Sequence, residues 1–579
     1  MKINIGIAQI NTTVGALLEN RKKICSFWKE LDENSHLVVF PELALTGYPP
    51  EDLLLQKDFL DETLYQLEEL KKFSQNLYST AIIGLPFFDG FSLFNSAVVL
   101  KQGEILGIYH KHFLPNYSVF DEKRYFSPGN TPVILELNFC KIGISICEDI
   151  WHPEGLERLY ALSGAEILLN INASPYYTGK PEFKLNFLKA RAEDNLAYLV
   201  YVNLTGAQDE LVFDGRSFVI SPDGSILVRG KVFEEDAFVI TLNTNYIKNL
   251  RLLDPRLRET PFYSSQNEPP CFPFVQNLKI EDPRNLPEFK GKISEEPGFE
   301  EEIYKALITG LRDYFFKNGF KKTVLGLSGG IDSSLTACIA VDALGAENVL
   351  AIFMPSEFTS RESYEDAREL AKNLNIKLIE LPITQVFNSY RTLFKKKLGY
   401  ENFSIADENI QARIRANFLF YLSNKEGYLV LSTSNKSESA TGYTTIYGDM
   451  AGGFAPIKDV YKTLVYRLAR YRNSVSPVIP ERIFEKPPTA ELKPEQKDQD
   501  VLPPYEVLDE ILRLYLEEGK GMEEIAEKVG DKEVVEKVLK MIRKAEYKRK
   551  QAPIGTKITK RAFGKDWRMP VTNGFVEKL

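Results

Sequence analysis

Short apolar runs and helical repeats alternate along the first 250 positions of the chain. Lys2–Ile10, Leu37–Phe40 and Ala81–Phe88 are compact apolar runs of strand length. Leu18–Leu31 repeats its apolar residues at helical spacing. Ser92–Leu100 and Glu104–Tyr109 close around Lys101–Gln102–Gly103, a hairpin signal. Val133–Leu137 with Lys141–Ile146, and Ser217–Ile220 with Ser225–Val228, read the same way. Glu166–Ile171 and Tyr198–Asn203 flank a helix at Pro181–Asn195. This many hairpins predict a mixed sheet rather than a purely parallel one.

Past residue 298 the rhythm changes. Phe299–Phe316 has an amphipathic helical period. Strands at Thr323–Leu327, Val349–Met354, Lys377–Leu381 and Tyr428–Ser432 then alternate with helices at Leu335–Leu344, Ser363–Asn373 and Asn409–Ser423. That order predicts a doubly wound parallel sheet, with ligands at the carboxyl ends of its strands. Between the two regions, 251–298 carries Pro255, Pro261, Pro269, Pro270, Pro273, Pro283, Pro287 and Pro297, too many for a regular helix or central strand. The expected organisation is a first domain at 1–250, a connector at 251–298 and a second domain at 299–579. In the connector, Pro261–Tyr263 and Cys271–Phe274 are apolar enough to dock.

Composition narrows the class. The chain has 579 residues and a net charge of −8, so bulk attraction to nucleic acid is not expected. No apolar run is long enough for a bilayer, and Met1–Ile10 already reads as a strand rather than a leader. The five cysteines, Cys25, Cys140, Cys147, Cys271 and Cys338, are scattered without a Cys-x-x-Cys pair. A cytoplasmic protein without a disulfide framework or zinc site is expected.

Candidate chemistry gathers at predicted strand ends. Leu325–Ser334 follows a buried strand and leads into a helix. Gly329 and Gly330 allow close backbone approach to an anion. Ser328, Ser333 and Ser334 add hydroxyls, and the helix start favours negative charge. Asp332 stands near where a phosphate-loop lysine would be, and a carboxylate beside phosphates needs a cation, read here as Mg²⁺. Glu438, past a separate strand end that also carries Thr433, is its natural partner on the metal. In the first domain Glu42 follows Val38–Pro41, Lys111 follows Ile108–His110, and Cys147 follows Gly143–Ile146 before turning into an expected helix. A Cys at a helix start beside a Lys is expected to have a lowered pKa. Glu, Lys and Cys together suffice for acyl transfer.

The Ser328–Ser334 run resembles the pyrophosphate loop of ATP pyrophosphatases. Pro41–Leu43, Lys111–Pro115 and Cys147–Trp151 resemble the nitrilase superfamily. That likeness implies an α-β-β-α sandwich, with Glu42 as general base, Lys111 as oxyanion stabiliser and Cys147 as nucleophile. Leu114–Glu122 and Gln208–Gly215 resemble the glutaminase domains fused to NAD synthetases, which would place Tyr117, Glu148, Ser174 and Lys180 around L-glutamine. Lys180 falls where relatives often carry Arg, and it keeps the charge without the bidentate fork. His110, His112 and His152 receive no catalytic part. Glu408–Arg413, Gly442–Asp449 and Tyr461–Thr463 resemble NAD synthetases.

The resemblance therefore implies a ligase. Ammonia from glutamine would amidate deamido-NAD activated by ATP, with AMP and pyrophosphate released. Glu408, Asn409, Arg413, Glu438, Asp449, Lys462 and Arg549 would contact the dinucleotide, and Ser328, Gly329, Gly330, Asp332, Ser333, Ser334 and Thr433 the ATP. Ala490–Pro494 with Asp498–Asp500 would order over the substrates. Family members are homo-oligomers, so a dimer-based assembly, as large as an octamer, and an ammonia tunnel are implied. The basic tail from Arg543 to Arg568 is expected to meet phosphate or solvent rather than nucleic acid. Another nitrilase-fused amidotransferase with a different carboxylate acceptor stays open.

Overall fold

The computed structural model describes residues 2–138, 140–153, 155–259 and 275–575. Pro261–Tyr263 and Cys271–Phe274 lie outside the described residues. The chain divides into two compact units. Unit 1 comprises residues 1–208 and 212–297, and unit 2 comprises 209–211 and 298–579.

In unit 1, a sheet forms from β1 (Lys2–Gln9), β2 (Leu37–Val39), β3 (Thr80–Phe88), β4 (Leu93–Lys101), β5 (Glu104–His110) and a later strand, Asp236–Asn243, which pairs antiparallel with β1. A second sheet takes β6 (Val133–Leu137), β7 (Cys140–Ile146), β8 (Ile167–Asn172), β9 (Tyr198–Asn203), Phe218–Ile220, Ile226–Arg229 and Gln276–Ile280. Alternation along the strands explains the stacking. Ile3, Ile5 and Ile7 of β1 join Ile144, Leu169 and Val200 of the second sheet in one buried cluster. Ala8, Val38 and Ile83 face the other way, onto α1 (Leu17–Asp32) and α2 (Lys57–Ser74) through Ile24, Trp28, Leu67 and Leu70. Helices α3 (Leu156–Leu162) and α4 (Lys180–Asp194) pack against the second sheet through Tyr160 and Leu188. This is the α-β-β-α sandwich that the resemblance implied.

Two features differ from the sequence reading. Helix α2 was not among the expected elements, although Phe59, Thr63, Leu67 and Leu70 bury one face of it. The connector is also more ordered than its prolines suggest. Gln276–Ile280 contains no proline and lies parallel to β6 at the edge of the second sheet.

Unit 2 holds a parallel sheet of Lys377–Glu380, Val349–Phe353, Thr323–Gly326 and Leu429–Leu431, in that spatial order. Helix α5 (Ile331–Leu344) follows the Thr323–Gly326 strand. It begins four residues earlier than expected, so Asp332 sits in its first turn. Helices α6 (Arg361–Asn373) and α7 (Ile405–Glu426) continue the winding, and Phe299–Lys317 opens the unit as expected. The basic tail is folded in. The Lys557 ammonium pairs with Asp566 at 2.9 Å, and Lys548 donates to the carbonyls of Gly442 and Thr444 at 2.7 Å.

Gly84 fixes the approach of β3 to the Glu42 segment. A Cβ there would stand 2.4 Å from Leu43 N and Pro41 O. Gly84→Ala is expected to lower the unfolding free energy of unit 1 by about 2–4 kcal/mol, because neither contact is a yielding side chain. Denaturant unfolding against wild type measures this, and an unchanged midpoint would show that the backbone yields at no cost.

Candidate active site

Three strand ends in unit 1 deliver the predicted trio to one buried place. Glu42 follows β2, Lys111 follows β5 and Cys147 follows β7. Lys111 is 1 % exposed and Glu42 0 %. The Lys111 ammonium donates to Glu42 Oε1 at 2.7 Å and to Glu122 Oε1 at 2.8 Å. Asn95 Nδ2 also donates to Glu42 Oε1, and the Ala173 amide to Oε2, each at 2.8 Å. Glu42 is thus held on both oxygens. Tyr48 donates its hydroxyl to Glu122 Oε1 at 3.0 Å. Burial alone would lower the Lys111 pKa, but Glu122 and Glu42 outweigh it and hold it well above the lysine range. Burial raises the Glu122 carboxyl to about 7, against the pull of Lys111. Glu122 lies in the segment that resembles glutaminase domains, but its type and position gave no sign of a role.

Cys147 leaves its strand at φ +44°, a strained conformation for a residue with a side chain. The sharp exit and the turn toward a helix are as expected, with the helix itself starting at Leu156. Cys147–Trp151 is a single 3₁₀ turn. The expected lowering of the thiol pKa is overturned. Burial, and next the charge of Glu42, push it well above the cysteine range, with Lys111 only partly opposing. At rest Cys147 is a neutral thiol with Glu42 and Lys111 beside it.

Asp149 ties these segments together. Its carboxylate accepts from the amides of Ile146 (2.9 Å), His112 (3.1 Å) and Phe113 (2.9 Å), and from the Tyr109 hydroxyl (2.5 Å). The strand end bearing Lys111 and the elbow bearing Cys147 therefore share one buried anchor. Burial raises its pKa to about 6. The histidines are packing residues, as expected. His110 stacks on Phe94, His112 on Tyr109 and His152 on Phe113.

The predicted glutamine-holding residues surround this trio unevenly. The Tyr117 hydroxyl donates to Glu148 at 2.9 Å, and burial raises the Glu148 carboxyl. Ser174 is buried just past β8, with its amide on Asn203 Oδ1 at 2.9 Å. The Lys180 ammonium donates to Pro175 O at 2.6 Å and lies over the Tyr177 ring.

In unit 2 a cavity of about 280 Å³ opens at the carboxyl ends of the sheet. Ser328, Gly330, Asp332, Ser333, Thr433, Glu438, Asp449 and Lys462 all stand in its wall. Gly329 and Ser334 stand behind it. Gly329 has φ +78°, and a Cβ there would meet Ser363 O at 2.6 Å. The Ser334 hydroxyl donates to Gly330 O at 2.8 Å, so it braces the loop. Asn435 donates to Asp332 Oδ1 at 3.0 Å, and Lys462 forms an ion pair with Asp332 Oδ2. Burial, and then the charge of Asp332, raise the Glu438 carboxyl well above its usual value. The Asp332 and Glu438 carboxyl groups offer a hard-oxygen donor set. No group of three or more acidic, His or Cys ligands occurs among the described residues. Mg²⁺ is commonly held by one or two carboxylates together with phosphate and water, and the Asp332–Glu438 pair is of that donor type.

The remaining predicted residues lie outside the cavity wall. Asn409 accepts from the Thr445 hydroxyl at 2.9 Å, Arg413 donates to Ile446 O at 3.1 Å, and Glu408 accepts from Gln496 at 3.2 Å. Arg549 is buried, with its guanidinium on Ala440 O and Glu546, each at 2.7 Å. Glu491, from the Ala490–Pro494 segment expected over the substrates, lines the cavity, and so do Arg415 and Lys486, which were not singled out in the sequence.

A buried cysteine elbow with its own base, and a phosphate-type loop facing two carboxylates, define an enzyme that handles both amide nitrogen and nucleotide. Comparison with known proteins agrees. Residues 4–252 match the carbon-nitrogen hydrolase family, and 303–552 match NAD synthase. The glutamine-dependent NAD(+) synthetase of Aquifex aeolicus is 58% identical over 99% of this chain and 100% of its own length. That of Thermotoga maritima is 51% identical over the full length of both. The structure of the Acinetobacter baumannii glutamine-dependent NAD+ synthetase in complex with ADP superposes with a TM-score of 0.73 at 38% identity, covering 99% of each chain. The chain belongs to the glutamine-dependent NAD(+) synthetases, ligases that use glutamine as amido donor.

Behind the elbow, Ser145 of β7 donates to Glu157 at 2.9 Å, and burial raises the Glu157 pKa from 4.5 to about 7. A carboxyl raised on folding gives its full stability below about pH 4.5 and loses it as pH rises through 7. Glu157→Gln should therefore gain on wild type by about 1–3 kcal/mol between pH 5 and pH 8. Denaturant unfolding at both pH values checks this, and a pH-independent difference would contradict it.

Proposed function

We propose that residues 1–250 release ammonia from glutamine and that 299–579 use it to amidate deamido-NAD. The observation that carries this reading is the meeting of Glu42, Lys111 and Cys147 at one buried site. Cys147 attacks the side-chain carbonyl of glutamine as its thiol proton passes to Glu42. The developing oxyanion faces the Lys111 ammonium. The tetrahedral carbon collapses and expels ammonia, which takes the proton from Glu42. Water, deprotonated by Glu42, then adds to the thioester; the C–S bond breaks to release glutamate, and the Cys147 sulfur takes the proton back from Glu42. Tyr117 and Glu148 hold the amino end of glutamine, Lys180 its carboxylate, and Ser174 the chain between them.

In unit 2 the nicotinate carboxylate of deamido-NAD attacks the α-phosphorus of ATP and pyrophosphate leaves. Ammonia then attacks the acyl carbon, and AMP departs. Ser328–Ser334 receive the polyphosphate through backbone and hydroxyl donors, Thr433 lies along the nucleotide, and Lys462 stabilises phosphate charge. Asp332 and Glu438 would hold Mg²⁺, which when bound offsets polyphosphate charge. Glu408, Asn409, Arg413 and Asp449 orient the dinucleotide directly or through the 445–446 turn. Arg549 serves that region through the carbonyls of Ser439 and Ala440 rather than by touching phosphate.

The chain works as a cytoplasmic homo-oligomer. Its described cysteines, Cys25, Cys140, Cys147 and Cys338, are free thiols, which suits a reducing compartment. No described helix is long and apolar enough to cross a membrane.

Cys147→Ala is expected to lose glutamine-driven NAD formation by at least about a thousandfold while keeping ammonia-driven formation near wild type. Both rates are measured with deamido-NAD and Mg-ATP. Glutamine-driven synthesis surviving in the variant would overturn the nucleophile. Wild type making no NAD from either nitrogen source would overturn the acceptor.

A further inference from the structure

The two lysines in the unit 2 cavity are already matched by the chain's own carboxylates. Lys462 is paired with Asp332. Across the cavity, Lys486 is paired with Glu491 at 3.1 Å. Glu491 Oε1 also accepts from the hydroxyls of Ser360 and Ser363, each at 2.8 Å, and Lys486 donates to both serines. A single carboxylate oxygen thus sits where an ammonium and two hydroxyls converge. Ser363 abuts the phosphate loop, since its carbonyl blocks any Cβ at Gly329. Arg415 also faces Glu491. Its Nε donates to Met354 O at 2.9 Å, and its terminal nitrogens make no hydrogen bond among the described residues.

Glu491 itself is held in a strained backbone, at φ +48°. The same loop is also held through its backbone, where Gln411 donates to Leu492 O at 2.9 Å. A carboxylate this close to a loop that receives polyphosphate would repel it. The serine hydroxyls, Lys486 and Arg415 would attract the same anion.

We propose that Lys486, with the Ser360 and Ser363 hydroxyls, forms a second anion subsite for the pyrophosphate end of the nucleotide, and that Glu491 occupies it until phosphate arrives. Binding exchanges one anion for another on the same donors. Glu491 swings out, and Lys486 and Arg415 meet phosphate oxygens. The masked state keeps the empty cavity from holding uncompensated cations and sets a threshold that a single weak anion does not cross. This inference rests on the reading of Ser328–Ser334 as a polyphosphate loop.

The test is calorimetric titration of the full-length protein with inorganic pyrophosphate in magnesium buffer. Lys486→Met is expected to weaken binding by at least about tenfold, and Ser363→Ala by severalfold. Glu491→Gln is expected to tighten it by about three- to tenfold, because a neutral amide competes less well for the cation. Thermal melts confirm that each variant is folded, and Lys486→Met with Ser363→Ala decide the matter if Glu491→Gln is not. Wild-type binding with an unchanged Lys486→Met would overturn the subsite, and a weakened or unchanged Glu491→Gln would overturn the mask. Wild type that binds no pyrophosphate would instead remove the polyphosphate reading of the loop.

Discussion

One lysine ammonium, shut away from water between two carboxylates, governs the chemistry of unit 1. Lys111 meets both Glu42 and Glu122, and none of the three is more than 5 % exposed. Such a group is costly to bury, and removing one partner from a buried ion pair costs about 3–5 kcal/mol. The arrangement persists because every charge has a partner and the surplus negative charge is relieved at Glu122, whose pKa rises to about 7. The return is a base in a fixed orientation. Lys111, Asn95 and the Ala173 amide grip both oxygens of Glu42. The adjacent thiol, in an apolar and negatively charged setting, stays protonated. A thiol kept protonated limits wasteful reaction as a free thiolate.

Unit 2 follows the same electrostatic logic in an open cavity. Its ammonium groups are parked on its own carboxylates, Lys462 on Asp332 and Lys486 on Glu491. Polyphosphate and its counter-ion can replace those partners without leaving any charge alone. Asp332 and Glu438 would hold a cation, and Lys462 would then be free to meet phosphate. The rigid parts of the site are backbone: the positive φ of Gly329, and the first turn of α5, which carries Asp332.

Much of this was legible in the sequence because strand ends are. Period-two and period-3.6 patterns located β2, β5 and β7, and the residues just past them were Glu42, Lys111 and Cys147. The same holds for Ser328–Ser334 and Thr433 in unit 2. What the sequence hid was environment. The expectation of an acidic thiol followed from a helix start and a nearby lysine. The structure supplies only a 3₁₀ turn, and a lysine whose charge is already matched by two glutamates. Glu122, Asp149 and Glu491 matter through distant partners, and nothing in their spacing announces those partners. Arg549 had the right charge near the right motif, but burial turned its guanidinium onto carbonyls. In the connector, eight prolines drew attention from Gln276–Ile280, a proline-free run with room to join a sheet edge.

The measurement closest to the central claim is the pH dependence of thiolate formation at Cys147. It can be followed as the ultraviolet absorbance difference between wild type and Cys147→Ala without substrate, and repeated in Glu42→Gln. A neutral resting thiol predicts no thiolate signal from Cys147 below about pH 9, the usual upper range for a free cysteine, and an earlier onset once the Glu42 charge is removed. A thiolate already present at neutral pH, or an onset that Glu42→Gln leaves in place, would contradict the account.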